Sequence, residues 1–371
     1  MIRTNCVICS KDNFLEIYNK EKYPIVFTPP GKDKNIEDDE NENLHFIGCQ
    51  YCGCVQTKRL VDQEKLYKDA YNITYNYPTM QRHHNLFADF VIKNIINKQI
   101  IEIGGSNGAL VKIILSKQKI DYTIMDLCDR APNILNVNFI NANCEIADFP
   151  ENNTIILSHV FEHLYNPFMF VQNVKRNNIN QILISNPDFD MLLERNDNSF
   201  INFEHTYYCN TSQLDHLMKQ CGYYRQNILN FEKWAIFYNY IKDDNVLVDD
   251  EVTKNVYLLD TLKEYFICRE NKIKNIKIDN DNKTFICTAG HYGQLVYTFL
   301  DENVKNNIIG FLDSDSFKIG KRVYGTKHFT YDKSKLCDYE NINVILCAER
   351  YRDEIINEIL SHNQNTNIIN V

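Results

Sequence analysis

The chain lacks a basic excess. Its net charge is −9, whereas a nucleic-acid surface needs clustered Lys and Arg, and the same acidic balance disfavours docking on anionic membranes. It also lacks long apolar runs, none approaching the roughly 18 residues that span a bilayer. The opening stretch "MIRTNCVICS" has no apolar h-region, so no signal peptide is expected and a cytoplasmic protein is. An even cysteine count is missing as well: thirteen cysteines in a chain read as cytosolic argue against a disulfide framework. Glycine (12) and proline (8) are scarce, which together with abundant Asn, Ile and Lys reads as compositional drift.

What is present is ordinary globular material. The 371 residues suggest two or three domains, and 44% hydrophobic with 24% charged residues supports packed cores. The first stretch, to about residue 75, bears cysteines and an acidic insert, "GKDKNIEDDENEN", expected to be mobile. In "MQRHHNLFADFVIKNIINK" apolar residues recur three or four apart, predicting a helix. Short apolar runs at "QIIEIG", "DYTIMDL", "TIILSHV" and "QILISNP" predict strands, with "ALVKIILSKQ" a helix between the first two. Strands alternating with helices imply an α/β fold with a parallel sheet covered on both faces. A second such unit follows in "KTFICTAGHYGQLVYTFLDE", "NIIGFLDSDS" and "NINVILCAERYRDEIINEIL". The expected partition is therefore 1–75, 76–245 and 246–371, both α/β units sharing a Rossmann-like plan.

Cys6 and Cys9 form one C-x-x-C pair, Cys49 and Cys52 another. Two such pairs supply the four-sulfur tetrahedron that zinc prefers, in a closed, structural site. Cys54 is a substitute ligand, and four ordinary buried cysteines are the alternative. The insert must then loop out between the pairs.

"IIEIGGSNGALVKII" places Gly104, Gly105 and Gly108, with Asn107, between a strand and a helix. Glycines there let a ligand approach the backbone at a helix N-terminus. Two ligand classes compete for such a loop, dinucleotides and S-adenosylmethionine. Glu102 just before the glycines is typical of the second, and Asp126, ending the next strand about 20 residues on, is placed for ribose hydroxyls in either. His159 and Glu162 in "HVFEHL" read as structural or cofactor-adjacent. His83 and His84 open a helix, either at the cofactor entrance or on the surface.

"INFEHTYYCN" sets Glu204 beside His205. In a loop such a pair is most often a solvated couple or a helix cap, with Asn210 or Thr211 capping the next helix and Tyr208 a core anchor. Its place after the "QILISNP" strand, at the carboxyl edge of a parallel sheet, favours a functional role.

At this point the chain resembles the three-part sugar C-methyltransferases of deoxysugar biosynthesis. The resemblance spans nearly the whole length, through "CVIC", "CQYCGCVQTKRLVDQEKLYKDAY", "IEIGGSNG", "SHVFEHLYNP", "FEHTYY", "GFLDSDSFKIGKRVYGT" and "VILCAERYRDEI". It implies an N-terminal zinc-binding domain, a central S-adenosylmethionine-dependent methyltransferase domain and a C-terminal Rossmann-like domain. It also implies a nucleotide sugar as the small-molecule substrate. His205 takes the base's role with Glu204 supporting it, His163 lines the pocket, and Tyr75 or Tyr77 contacts substrate. Phe203 stands where the family carries a histidine, and "TAGHYGQLVYT", with Gly290 and Gly293, lacks the family's lysine. The chemistry suits a keto sugar: carbon beside a ketone becomes nucleophilic only after a base removes a proton, and the sulfonium donor itself needs no metal. O- or N-methylation on the same cofactor domain is the first alternative. A nucleotide-sugar or NAD-binding protein is the second. Monomer and homodimer are both open.

Overall fold

In the first segment of the computed structural model two strands, β1 (Phe14–Pro24) and β2 (Asn41–Cys49), pair antiparallel. A short β3 (Val55–Thr57) joins β2, and a five-residue helix α1 (Gln63–Tyr67) follows. The structure describes residues 1–26, 35–67, 78–129, 131–151, 153–195, 201–348 and 352–371. Tyr75 and Tyr77 lie outside those residues. The acidic insert departs from expectation. Asn41 to Asn43 belong to β2, and the Asp39 carboxylate is buried against Arg322 near the other end of the chain. Arg322 Nη1 and Nη2 donate to its two oxygens at 2.6 and 2.8 Å, and Gly325 N–H donates at 2.7 Å. Charge that looked like solvated insert is thus a buried fork. Asp39→Ala would take the carboxylate from the buried guanidinium, leaving it the Thr326 carbonyl, and breaking a buried pair this way costs about 3–5 kcal/mol. The variant is expected to melt well below wild type in a thermal scan. Coincident melting curves would remove the pair from the list of stabilising contacts.

The central segment opens with α2 (Pro78–Asn94) and continues through β4 (Gln99–Ile103), α3 (Ala109–Lys117), β5 (Asp121–Asp126), β6 (Val137–Asn141) and β7 (Thr154–Ser158). Then come α4 (Pro167–Arg176), β8 (Gln181–Pro187), α5 (Phe189–Glu194), β9 (Tyr207–Tyr208), α6 (Thr211–Gln220), β10 (Tyr223–Phe231) and β11 (Ala235–Lys242). Its seven-stranded sheet has the order β10-β11-β8-β7-β4-β5-β6. β4 to β8 are parallel, and β11 and β10 close one edge antiparallel. Strands read from continuous apolar runs form the middle, because both faces are covered by helices: Ile100, Ile101, Ile155, Ile156, Leu157 and Ile182 to Ile184 are all buried. The chain order reverses between β4 and β7, which opens a crevice at their carboxyl ends.

Local signals set the helix starts. Asn166 caps α4 ahead of Pro167 at its first turn, and Asn210 with Gln213 forms a capping box on α6. The last segment holds α7 (Leu258–Lys274), β12 (Lys283–Cys287), α8 (His291–Phe299), α9 (Glu302–Asn307), β13 (Ile308–Leu312), β14 (Thr330–Tyr331), β15 (Ile342–Leu346), α10 (Arg352–His362) and β16 (Thr366–Asn370). These strands form a second, parallel sheet, β14-β13-β12-β15-β16. Phe266 of α7 stacks on Tyr18 and Phe46 at 4.7 and 5.2 Å between ring centroids, tying this segment to the first sheet.

Candidate active site

β4 ends at Ile103 and turns into α3 through the glycines. Gly104 (φ +69°) and Gly108 (φ +74°) are left-handed, a conformation glycine adopts without steric cost. A Cβ on Gly104 would come within 2.6 Å of Val160, and one on Gly108 within 2.4 Å of Ile134. The turn therefore needs its glycines for its own packing before any ligand is considered. Asp126 ends β5 half-exposed beside it, accepting from Ser106 N–H at 3.0 Å and from Cys128 N–H at 2.9 Å. Asn107 Oδ1 accepts from Ala109 N–H at 3.2 Å where α3 begins. Glu102 is buried, its carboxyl carbon 3.1 Å from where a Cβ on Gly105 would sit. Tyr122 donates to it at 2.9 Å, and burial pushes its pKa up to about 7 although the Tyr122 bond pulls the other way. The carboxylate at the end of β5 and the amide groups opening α3 fit S-adenosylmethionine: lone pairs left on Asp126 suit hydroxyls, and a helix N-terminus suits a carboxylate.

One strand away, β7 gives way to His159 (φ +53°) and a 3₁₀ turn, Phe161–His163. His159 Nδ1 stands 3.5 Å from Glu162 Oε1, and His163 Nε2 stands 3.9 Å from the same oxygen. Donor atoms of Glu162, His163 and His205 all lie within 4.8 Å of one another, and the His163 and His205 rings are 5.0 Å apart, edge to face. Glu162 is 4% exposed. The imidazole contacts are long and poorly aligned, and neither carboxylate oxygen accepts a hydrogen bond from a described residue. Burial alone would raise its pKa, but His159, His163 and His205 together hold it down to about 2. Burial and then His163 push His205 down to about 3, against the pull of Glu162, so this imidazole is neutral near neutral pH.

The carboxylate brought to His205 is thus Glu162. Glu204 is half-buried, and its charge is felt at the Tyr67 hydroxyl, which burial above all and then Glu204 push upward. That hydroxyl lies 3.0 Å from His163 Nδ1. His83 and His84 are both buried, not surface residues. His83 is boxed by Phe231, Trp234 and Phe237 at 5.2 to 5.4 Å and meets Ser185 Oγ at 2.7 Å and His159 Nε2 at 3.2 Å.

What holds His163 and His205 in place comes from far away in the chain. Arg3 is buried, and its guanidinium donates to the carbonyl of Thr206, to Thr206 Oγ1 at 2.9 Å and to the Tyr165 carbonyl at 2.8 Å. Thr57 N–H donates to the Thr206 carbonyl at 2.9 Å. β3 pairs antiparallel with β9, just past His205, so the first sheet has the order β1-β2-β3-β9. A lone arginine at position 3 carries no sequence signal, and a two-residue strand has none either. Glu162, read from the sequence as structural or cofactor-adjacent, carried a signal for more: a carboxylate next to a histidine, directly after a strand that ends at the crevice.

The four sulfurs of Cys6, Cys9, Cys49 and Cys52 also converge. All four residues are buried, and their Sγ atoms lie within 4.8 Å of one another, Cys6 to Cys52 and Cys9 to Cys49 at 3.5 Å. No cysteine is in a disulfide. With zinc–sulfur bonds of about 2.3 Å, tetrahedral thiolates sit a little under 4 Å apart, so the set could hold that ion. Gln213 of α6 donates to the Cys52 carbonyl at 2.6 Å. In the last segment a lysine stands beside the turn after β12. Lys318 Nζ pairs with Asp313 at 2.9 Å and stands 3.9 Å from where a Cβ on Gly290 would be, while Ala289 N–H donates to Asp313 at 3.1 Å.

Residues 76–226 match the family model described as a methyltransferase domain. No curated protein matches the chain. Among solved structures it is similar to a SAM-dependent methyltransferase from Aquifex aeolicus at 14% identity, covering 46% of this chain and 95% of that one, with a TM-score of 0.38. It is also similar to the magnesium protoporphyrin IX methyltransferase of Synechocystis PCC 6803 with bound SAH, at 9% identity, 47% and 89% coverage and a TM-score of 0.36. No helix among the described residues is long and apolar enough to cross a membrane. The glycine turn, the acid ending the second strand of the sheet and the family match agree: residues 76–226 form a methyltransferase domain of the S-adenosylmethionine-dependent kind.

Proposed function

We propose that this enzyme methylates a nucleotide-linked keto deoxysugar at the carbon beside its ketone. The observation that carries the reading is the convergence of His163 and His205 on the buried Glu162, in the crevice flanked by the glycine turn after β4. Ligands of open α/β sheets bind at that edge. Bound there, S-adenosylmethionine supplies a methyl on a sulfonium that needs no further activation. The chain's own task is on the acceptor: to hold the keto group against the Glu162–His163–His205 cluster, so that the neighbouring carbon can lose its proton there and face the methyl in line. The buried Phe203, Tyr207 and Tyr208 exclude water from the segment that carries His205.

On this reading residues 1–75 are a zinc-binding unit with Cys6, Cys9, Cys49 and Cys52 as ligands, residues 76–245 carry the chemistry, and residues 246–371 are a Rossmann-like unit. Lys318 beside Gly290 supports a polar, substrate-holding edge on the last. The test is solvent exchange. Incubated in D₂O with the demethylated cofactor, the enzyme is expected to wash deuterium into the carbon beside the ketone of a nucleotide-linked 4-keto deoxysugar. Methyl transfer to a sugar without that exchange would reassign the enzyme to O- or N-methylation. Calorimetry showing no uptake of S-adenosylmethionine or its product would overturn the reading altogether.

A further inference from the structure

We propose that Glu162, His163 and His205 form a binding site for a divalent first-row transition cation, separate from the four-cysteine cluster. Three observations carry it. The donor set is two imidazoles and one carboxylate, all within 4.8 Å of one another, the composition of sites that hold such a cation on one face and leave its other positions open. Metal bonds of about 2.0–2.2 Å place neighbouring donors roughly 3–3.5 Å apart, and His163 Nε2 already stands 3.9 Å from the Glu162 oxygen. Small rotations of the side chains close the remainder.

The second observation is the carboxylate itself. Glu162 is 4% exposed, and both its oxygens are without a hydrogen bond from the described residues. A buried carboxylate calls for a cation or donor, and the imidazoles of His159 and His163 stand 3.5 and 3.9 Å from it without closing a hydrogen bond. The third is outside the donor set. His163 offers Nε2 to the cluster while its Nδ1 lies 3.0 Å from the Tyr67 hydroxyl. Metal-bound histidines are characteristically oriented by such a partner on the other ring nitrogen. His205 is held from its backbone, where Asn202 Oδ1 accepts its N–H at 2.8 Å. With the cation in place His205 would be a ligand and not the base; the open positions would take an oxygen of the acceptor and a water, which as bound hydroxide would receive the proton lost by the neighbouring carbon. The charge then polarises the acceptor's carbonyl.

Cobalt(II) is the probe, because its spectrum separates the two sites. Bound by thiolates it absorbs strongly in the near ultraviolet; bound by imidazole and carboxylate it shows only weak visible bands. Chelator-washed full-length protein is expected to take up one equivalent per chain without the thiolate band. That binding should weaken at least roughly tenfold in His163→Ala and Glu162→Gln, while any thiolate-bound cobalt is unchanged. Uptake in wild type solely with the thiolate band would overturn the proposal without need of a variant, as would equal affinity in both variants. Calorimetry with S-adenosylmethionine on the same samples reads the donor site independently. Protein that binds the donor but no second cation would sink the cation site and leave the proposed methyl transfer standing.

Discussion

Replacing His205 by alanine is expected to lower turnover by roughly 10²–10⁴-fold while leaving the affinity for S-adenosylmethionine within about twofold. The two halves of the expectation rest on different parts of the fold. Donor contacts are assigned to the turn after β4 and to Asp126, which is held by Ser106 and Cys128. His205 belongs instead to the segment leading into β9, where its ring meets His163. Removing the imidazole takes away a polar group aimed at Glu162 without touching the donor's side of the crevice. A collapsed segment would imitate this result, so the variant's melting curve and its donor titration are read together. Near-wild-type turnover in a well-folded variant would take His205 out of the mechanism, whether as proton acceptor or as cation ligand.

Cys49→Ser is expected to have the largest structural effect. Cys49 is fully buried at the end of β2, its Sγ 3.5 Å from that of Cys9. Structural zinc in small peptides is worth about 10–16 kcal/mol of apparent binding energy, so an ion held by these sulfurs would add substantially to the stability of the first segment, whose Ile8, Tyr23, Leu44, Phe46 and Val55 are buried. Here the loss would travel. β3 pairs with β9, the Thr206 carbonyl accepts from Thr57 and Arg3, and Gln213 is bonded to Cys52. On the proposed zinc reading the variant should bind less than one equivalent of zinc, melt earlier and lose most of its turnover, yet keep donor binding at the turn after β4. A zinc-free variant with wild-type melting and full turnover would show that the sulfur cluster is dispensable for placing His205.

Legibility in the sequence followed burial. β4, β7, β8, β12 and β15 announce themselves as apolar runs because helices cover both their faces. β10 is largely exposed along its length, and β6 and β16 are only half-buried edge strands, so their sequences carry little apolar pattern and they went unread. Asn210 was legible as a cap because a cap is a contact between residues three apart. Asp39 was not, because its partner Arg322 is 283 positions away, and nothing in an acidic run says which member will be buried. His83 and His84 misled for the same reason: a histidine pair reads as polar until three aromatic rings from β10 and β11 and the turn between them close around the first.

By itself the sequence determined the glycine turn, the acid at the end of the following strand and the two cysteine pairs. Each of these depends on backbone conformation or chelate spacing within a few residues, which the chain carries wherever it goes. The tertiary structure alone decided which carboxylate faces His205. Glu204 and His205 follow one another through a bend, not a strand, so adjacency alone does not say where either side chain points. Glu162 arrives instead because β7 and β3 hold two distant turns against each other.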